Sequence, residues 1–85
     1  MTSTIFIGNL PFDTLEEEIV EILSEAGNVV WFRTVFDKMT GRSKGYGFCE
    51  YNNHDQALIA ANTLNNRIYK ARAIRISLSD RHLQG

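Results

Sequence analysis

The chain has 85 residues, which is enough for one small hydrophobic core and too few for a second. Hydrophobic residues make up 44% and charged residues 22%, the balance of an ordinary soluble domain; no apolar run reaches membrane-spanning length, MTSTIFIGN has no basic leader, and the single cysteine, Cys49, excludes an internal disulfide or a paired-cysteine zinc site. Net charge is only −1, yet residues 13–25 hold six acids (Asp13, Glu16, Glu17, Glu18, Glu21, Glu25) and no base, while residues 26–85 hold all nine Lys and Arg against four acids.

Thr4-Ile5-Phe6-Ile7-Gly8 is β-rich and punctuated by Gly8 and Pro11, which predicts a first strand. Thr14 with Glu17 three positions on spells a capping box, and Glu16 to Glu18 suit the positive end of a helix dipole. Leu15, Ile19, Ile22, Leu23 and Ala26 then recur at helical spacing, so a helix is expected to run to Gly27-Asn28. Val29 to Phe36, β-branched and aromatic, predicts a second strand, and DKMTGRS at 37–43 a hairpin connection. Lys44 to Tyr51 predicts a third strand with aromatics at alternate positions. Asn53 or His54 opens a second helix, with Gln56 placed to complete its cap, a small-residue face at Ala57, Ala60, Ala61 and Leu64, and a left-handed stop at Asn65-Asn66. Ile74 to Leu78 alternates and predicts a fourth strand. The order β-α-β-β-α-β fits one α+β domain over 1–85, with a core at about 4–79 and an extension at 80–85. The architecture it implies is ferredoxin-like: a four-stranded antiparallel sheet with both helices on one face.

Two helices cover one face of such a sheet, so the other should be polar unless something binds there. Alternation puts Ile5, Ile7, Gly45, Gly47, Cys49, Tyr51, Ile74, Ile76 and Leu78 on the helix side. Phe6, Tyr46 and Phe48 fall opposite, beside Lys44, Arg33 and Arg75, with Ser77 alongside and Glu50 at the margin. Exposed aromatics are costly without a use. Rings on which unpaired bases stack, at about 1–3 kcal/mol per base, with cations for the phosphates, would supply one. Core packing is the bland alternative; it would need Tyr46 and Phe48 to share a face with Ile5 and Ile7. Trp31 groups with Arg33 by simple alternation, but a bulge near Val29-Val30 would turn it, so base contact and edge packing weigh equally there. Arg42 and Lys38 lie in the hairpin, where solvation alone explains a cation. Cys49 reads as a small buried hydrophobe, His54 and His82 lack the spacing for metal or triad chemistry, and the acidic run reads as a solvated helix face. No catalytic residue, metal or cofactor is expected.

IFIGNL at 5–10 and KGYGFCEY at 44–51 resemble the two signature segments of the RNA recognition motif family, in the right order and spacing. The second fits the family pattern at every position except Cys49, where valine is usual. The resemblance runs from Thr4 to about Ser79. It implies single-stranded RNA as partner and no enzymatic activity, with Phe6, Tyr46 and Phe48 stacking bases and Lys44 meeting phosphate. Arg75, Arg33, Asn9, Ser77, Arg42 and Trp31 complete the candidate RNA-binding set, and the stretch Arg75 to Asp80 together with Arg33 is expected to choose among bases.

A narrower likeness rests on Val29-Val30-x-Phe32-Arg33-x-Val35, Asp37, Thr40-Gly41 and GYGFCEY, which are similar to the RNA-binding subunits of cleavage stimulation factor. It implies U- or GU-rich RNA, pre-mRNA cleavage and polyadenylation, other subunits of that complex as partners, and the nucleus. Trp31 and Thr34 depart from that pattern, and Asn66 and Ala71 stand where it has glycines. Members of that group continue well beyond this length, so the chain is expected to be an excised domain or a reduced homologue, monomeric in isolation. Leu83 is the residue suited to fold back over the sheet, though a frayed terminus is the default for 79–85. The competing readings are the RNA recognition motif of a splicing or hnRNP-like factor, a variant that binds protein, and an acyl-phosphate hydrolase, which needs a phosphate-cradling loop that the sequence does not offer.

Overall fold

The computed structural model describes residues 2–79. Leu83 and Asp80, together with the expected extension, lie outside the described residues. The elements are β1 (Thr4–Gly8), α1 (Glu16–Leu23), β2 (Val29–Phe36), β3 (Ser43–Tyr51), α2 (His54–Thr63), β4 (Ile68–Tyr69), β5 (Arg72–Ala73) and β6 (Arg75–Leu78). β2, β3, β1 and β6 form one antiparallel sheet in that order, with the two signature strands β3 and β1 at its centre. α1 packs on β2, and α2 packs on β1, β3 and β6. The expected α+β arrangement is therefore the one the chain adopts.

The core is the one the alternation implies. Ile5, Ile7, Cys49, Tyr51, Ile74 and Ile76 are buried against Ile19, Leu23, Ala57, Ala60 and Leu64 of the helical layer. Small residues on α2 let it lie close to the strands, so the sheet is sealed on this side. Gly47 shows how tight β2 and β3 are: a Cβ there would stand 2.5 Å from the Arg33 carbonyl oxygen and 3.0 Å from Thr34 Cα, a contact that only backbone movement could relieve.

Several local expectations need correction. α1 has no capping box. Its first flanking residue is Leu15, with no side-chain cap, because the Thr14 hydroxyl donates instead to the Pro11 carbonyl. The helix also ends a turn early, at Leu23, and residues 24–26 continue as hydrogen-bonded turns; Gly27 is not left-handed. α2 behaves as read: Asn53 caps it by accepting from the Gln56 amide, and Asn66 (φ 75°) follows its end in the left-handed region. The Gln56 side chain accepts from the amides of Asn28 and Asn52, tying the start of α2 to the entry of β2.

The last strand is shorter than expected. Ile74 precedes β6 and is nonetheless fully buried, its amide donating to the Arg67 carbonyl. Ahead of it lies a two-stranded hairpin, β4–β5, that was not foreseen. Its loop residues Lys70 and Ala71 have φ values of 50° and 67°, the left-handed pair of a two-residue turn whose twist matches the strands it joins. In β3, Gly45 takes φ 91°, and the β2–β3 register shifts between Thr34 and Phe36; strict alternation does not extend through Lys44 and Gly45 as supposed.

Candidate nucleic-acid interface

Antiparallel pairing places directly opposed residues on one face, so the register writes the uncovered face as rows. The central row reads Arg33, Phe48, Phe6, Ser77 across β2, β3, β1 and β6. On one side of it Gly8 faces Arg75, with Tyr46 two residues before Phe48 on β3. On the other side Trp31 faces Glu50, and Glu50 faces Thr4. The bulge anticipated near Val29-Val30 exists, with the register slipping between Val29 and Trp31 and Val30 at 55% exposure, but it does not turn Trp31: the alternation from Arg33 holds, and Trp31 stays on the face that carries Phe48.

Phe6, Tyr46 and Phe48 are half-buried, and less exposed than alternation alone suggested, because they cover one another's edges. Ring centroids are 5.7 Å apart for Phe6 and Tyr46, 5.8 Å for Phe6 and Phe48, and 6.3 Å for Tyr46 and Phe48, with the latter two pairs edge to face. Such pairs contribute about 0.5–1.5 kcal/mol beyond area burial, so the rings support each other in place. Gly8 makes room for this arrangement: a Cβ there would come within 2.9 Å of the Phe6 ring.

The cations around this cluster are exposed and available. Among the described residues Arg33, Lys44 and Arg75 take part in no ion pair. The Arg33 guanidinium lies 5.7 Å from the Trp31 ring centroid. Arg42, in the hairpin, sits 5.6 Å from the ring centroid of Phe12, an aromatic at 67% exposure that periodicity passes over because it belongs to no element. Lys38 is exposed in the same hairpin, and Ser77 is exposed on β6. Asn9 has a different occupation. With φ 62°, it donates to the Ala73 carbonyl at 2.8 Å and accepts from Arg72 at 3.1 Å, so both ends of its amide hold β1 to the β5 hairpin.

Charge is sorted between the two sides of the molecule. Arg67 makes a two-pronged pair with Glu25 at 2.8 and 2.6 Å, which holds the Glu25 carboxyl below the usual carboxylate range and raises Arg67. Lys70 lies 3.5 Å from Asp13 and 4.0 Å from Glu18, and the Tyr69 hydroxyl donates to Glu18. Glu16 accepts from the Thr34 amide and hydroxyl. The acids of the α1 region are thus partly neutralised by helix-side bases rather than left as a bare acidic face. Burial, with a smaller contribution from Glu50, pushes the Cys49 thiol up to about 12, which leaves it no use as a nucleophile. No three His, Cys, Asp or Glu among the described residues are grouped to hold a metal ion.

The sheet order, the paired aromatics of β1 and β3 and their cationic margin agree with what other proteins show. Residues 5–75 match the RNA recognition motif family. The cleavage stimulation factor subunit 2 tau variant of Homo sapiens is 48% identical over 73 residues, 86% of this chain and 12% of that protein. Cleavage and termination factor 1 of Schizosaccharomyces pombe is 39% identical over 74 residues, 87% of this chain and 20% of that protein. This chain therefore spans only a small part of the curated relatives it matches. Among solved structures, the RNA15 RRM superposes with a TM-score of 0.85 at 32% identity over 92% of this chain and 90% of that one. The Rna15 RRM with bound RNA (GU) does so with a TM-score of 0.84 at 31% identity over 95% and 86%. With the family match covering most of the chain and the fold and both signature strands in register, this chain belongs to the RNA recognition motif family.

Proposed function

We propose that the chain binds a few nucleotides of single-stranded RNA on the open face of its sheet, without catalysis. Phe6, Tyr46 and Phe48 stack the bases, and Lys44, Arg33 and Arg75 meet the phosphates. The observation that carries this reading is the three-ring cluster, half-exposed on the sheet face that neither helix covers, with Arg33, Lys44 and Arg75 exposed and in no ion pair among the described residues. Stacking tolerates any base, so these rings set affinity; preference comes from hydrogen bonds to base edges by neighbouring side chains and backbone. U- or GU-rich RNA is the proposed ligand, supported by the likeness to cleavage stimulation factor subunit 2 and to a domain solved with GU RNA. The setting proposed on the same likeness is pre-mRNA cleavage and polyadenylation in the nucleus, beside other subunits of that machinery.

The expected result is that Phe48→Ala and Tyr46→Ala each weaken binding of a GU-repeat octamer by at least about tenfold, with the circular dichroism spectrum unchanged. Fluorescence anisotropy of labelled RNA measures it. Unchanged affinity in both variants overturns stacking. Selection from random single-stranded RNA tests the preference, where purine-rich winners overturn the U/GU assignment.

A further inference from the structure

Alternation with Arg33 puts Trp31 on the open face, in a row the three-ring cluster does not use. Trp31 faces Glu50 directly across β2 and β3, and on β2 the next residue on that face, Arg33, faces Phe48. The indole therefore lies on the same face as the aromatic cluster, on edge strand β2 and one pleat repeat of about 7 Å along it from Arg33. Arg33, at the β2 end of the central row, lies with its guanidinium 5.7 Å from the Trp31 ring centroid, close enough to neutralise a phosphate passing there. Trp31 and Glu50 are both half-buried, and their Cβ atoms belong to a directly opposed pair, a separation of about 5 Å.

We infer that Trp31 and Glu50 form a further base-binding subsite at the β2 edge, and that it takes guanine. The inference rests on the sheet being an RNA surface, as proposed above. The indole supplies a flat platform, but a platform does not discriminate. Glu50 does. An ionised carboxylate only accepts hydrogen bonds, and one of its oxygens, Oε2, already receives the Ser3 hydroxyl at 3.0 Å, which orients the group. A base lying on Trp31 with its edge toward Glu50 must present donors. Guanine offers two adjacent ones, the ring N–H and the amino group, matched to two carboxylate oxygens in a charge-assisted pair. Adenine and cytosine offer a single amino group. Uracil offers one N–H flanked by two carbonyls that the carboxylate repels.

Trp31 is the only tryptophan in the chain, so its emission reports RNA arriving at the indole or at the Arg33 guanidinium beside it, and the base replacements below separate the two. The full 85-residue chain is titrated with a GU-repeat octamer, labelled for anisotropy and unlabelled for tryptophan fluorescence. The expected result is a saturable change in Trp31 emission with the same midpoint as the anisotropy. Guanosines are then replaced one at a time by inosine, which lacks the amino group. At one position this weakens binding about tenfold, and the loss disappears in Glu50→Gln. A full anisotropy transition with unchanged emission overturns the subsite while leaving the sheet reading intact. Inosine tolerated at every position, or an equal loss in Glu50→Gln, overturns the guanine assignment. No anisotropy change at all overturns the sheet reading, and this inference with it.

Discussion

At the scale of single residues, the signature strand β3 divides its labour between two faces. Tyr46 and Phe48 look outward, while Cys49 and Tyr51 are buried at 0% and 1% exposure, with the Tyr51 hydroxyl donating to the Leu23 carbonyl at 2.6 Å. The burial has a consequence in alkali. Burial, and secondarily Glu50, raises the Cys49 thiol from an ordinary 9.0 to about 12, and burial likewise raises the Tyr51 phenol above its ordinary 10.0. Above pH 9 the unfolded chain releases the thiol proton while the folded chain keeps it. The unfolded state then binds fewer protons, and stability falls as pH rises toward the folded value. Urea midpoints should be flat from pH 7 to about 9 and drop from there toward pH 12. Cys49→Ala should lessen that drop, and a slope as steep as the wild-type one would contradict the assignment.

At the scale of elements, long periodic segments were legible and short or locally bonded ones were not. β1, β2, β3 and α2 follow from alternation, helical spacing and an asparagine cap, because tertiary packing and local preference agree there. The start of α1 did not, since Thr14 had a nearer acceptor in Pro11 than the helix amides it was expected to cap. β4 and β5 have two residues each, too few for any periodicity to register. A residue ahead of this hairpin and one in its turn carry a signal all the same. Asn66 and Ala71, noted as standing where related sequences have glycine, both adopt left-handed backbone. Asparagine tolerates that conformation, but alanine pays about 1–2 kcal/mol for it. Ala71→Gly should therefore stabilise the protein by about 1 kcal/mol, part of the gain being offset by the freer unfolded chain. Thermal or urea unfolding checks this, and an unchanged or lowered midpoint would contradict the strain.

At the scale of the whole molecule, a net charge of −1 conceals a working separation. Arg67 and Lys70 attend to the acids of the α1 side, while Arg33 and Arg75 on the open face, and Lys44 at the start of β3, enter no ion pair among the described residues. The composition alone hinted at this split, and the sheet face itself was readable from alternation. What could not be read was the position of Trp31, which hung on where β2 would bulge, or the commitment of Asn9 to Ala73 and Arg72, because both depend on register and on a hairpin too short to foresee. Which side of the sheet RNA occupies is the central claim, and amide chemical-shift mapping during titration with a GU-rich oligonucleotide tests it directly. The account expects the largest shifts at Phe6, Tyr46, Phe48, Arg33 and Arg75, with α1 and α2 little changed. Shifts confined to Glu16–Leu23 and the outer surface of α2, with the β1 and β3 aromatics unmoved, would contradict it.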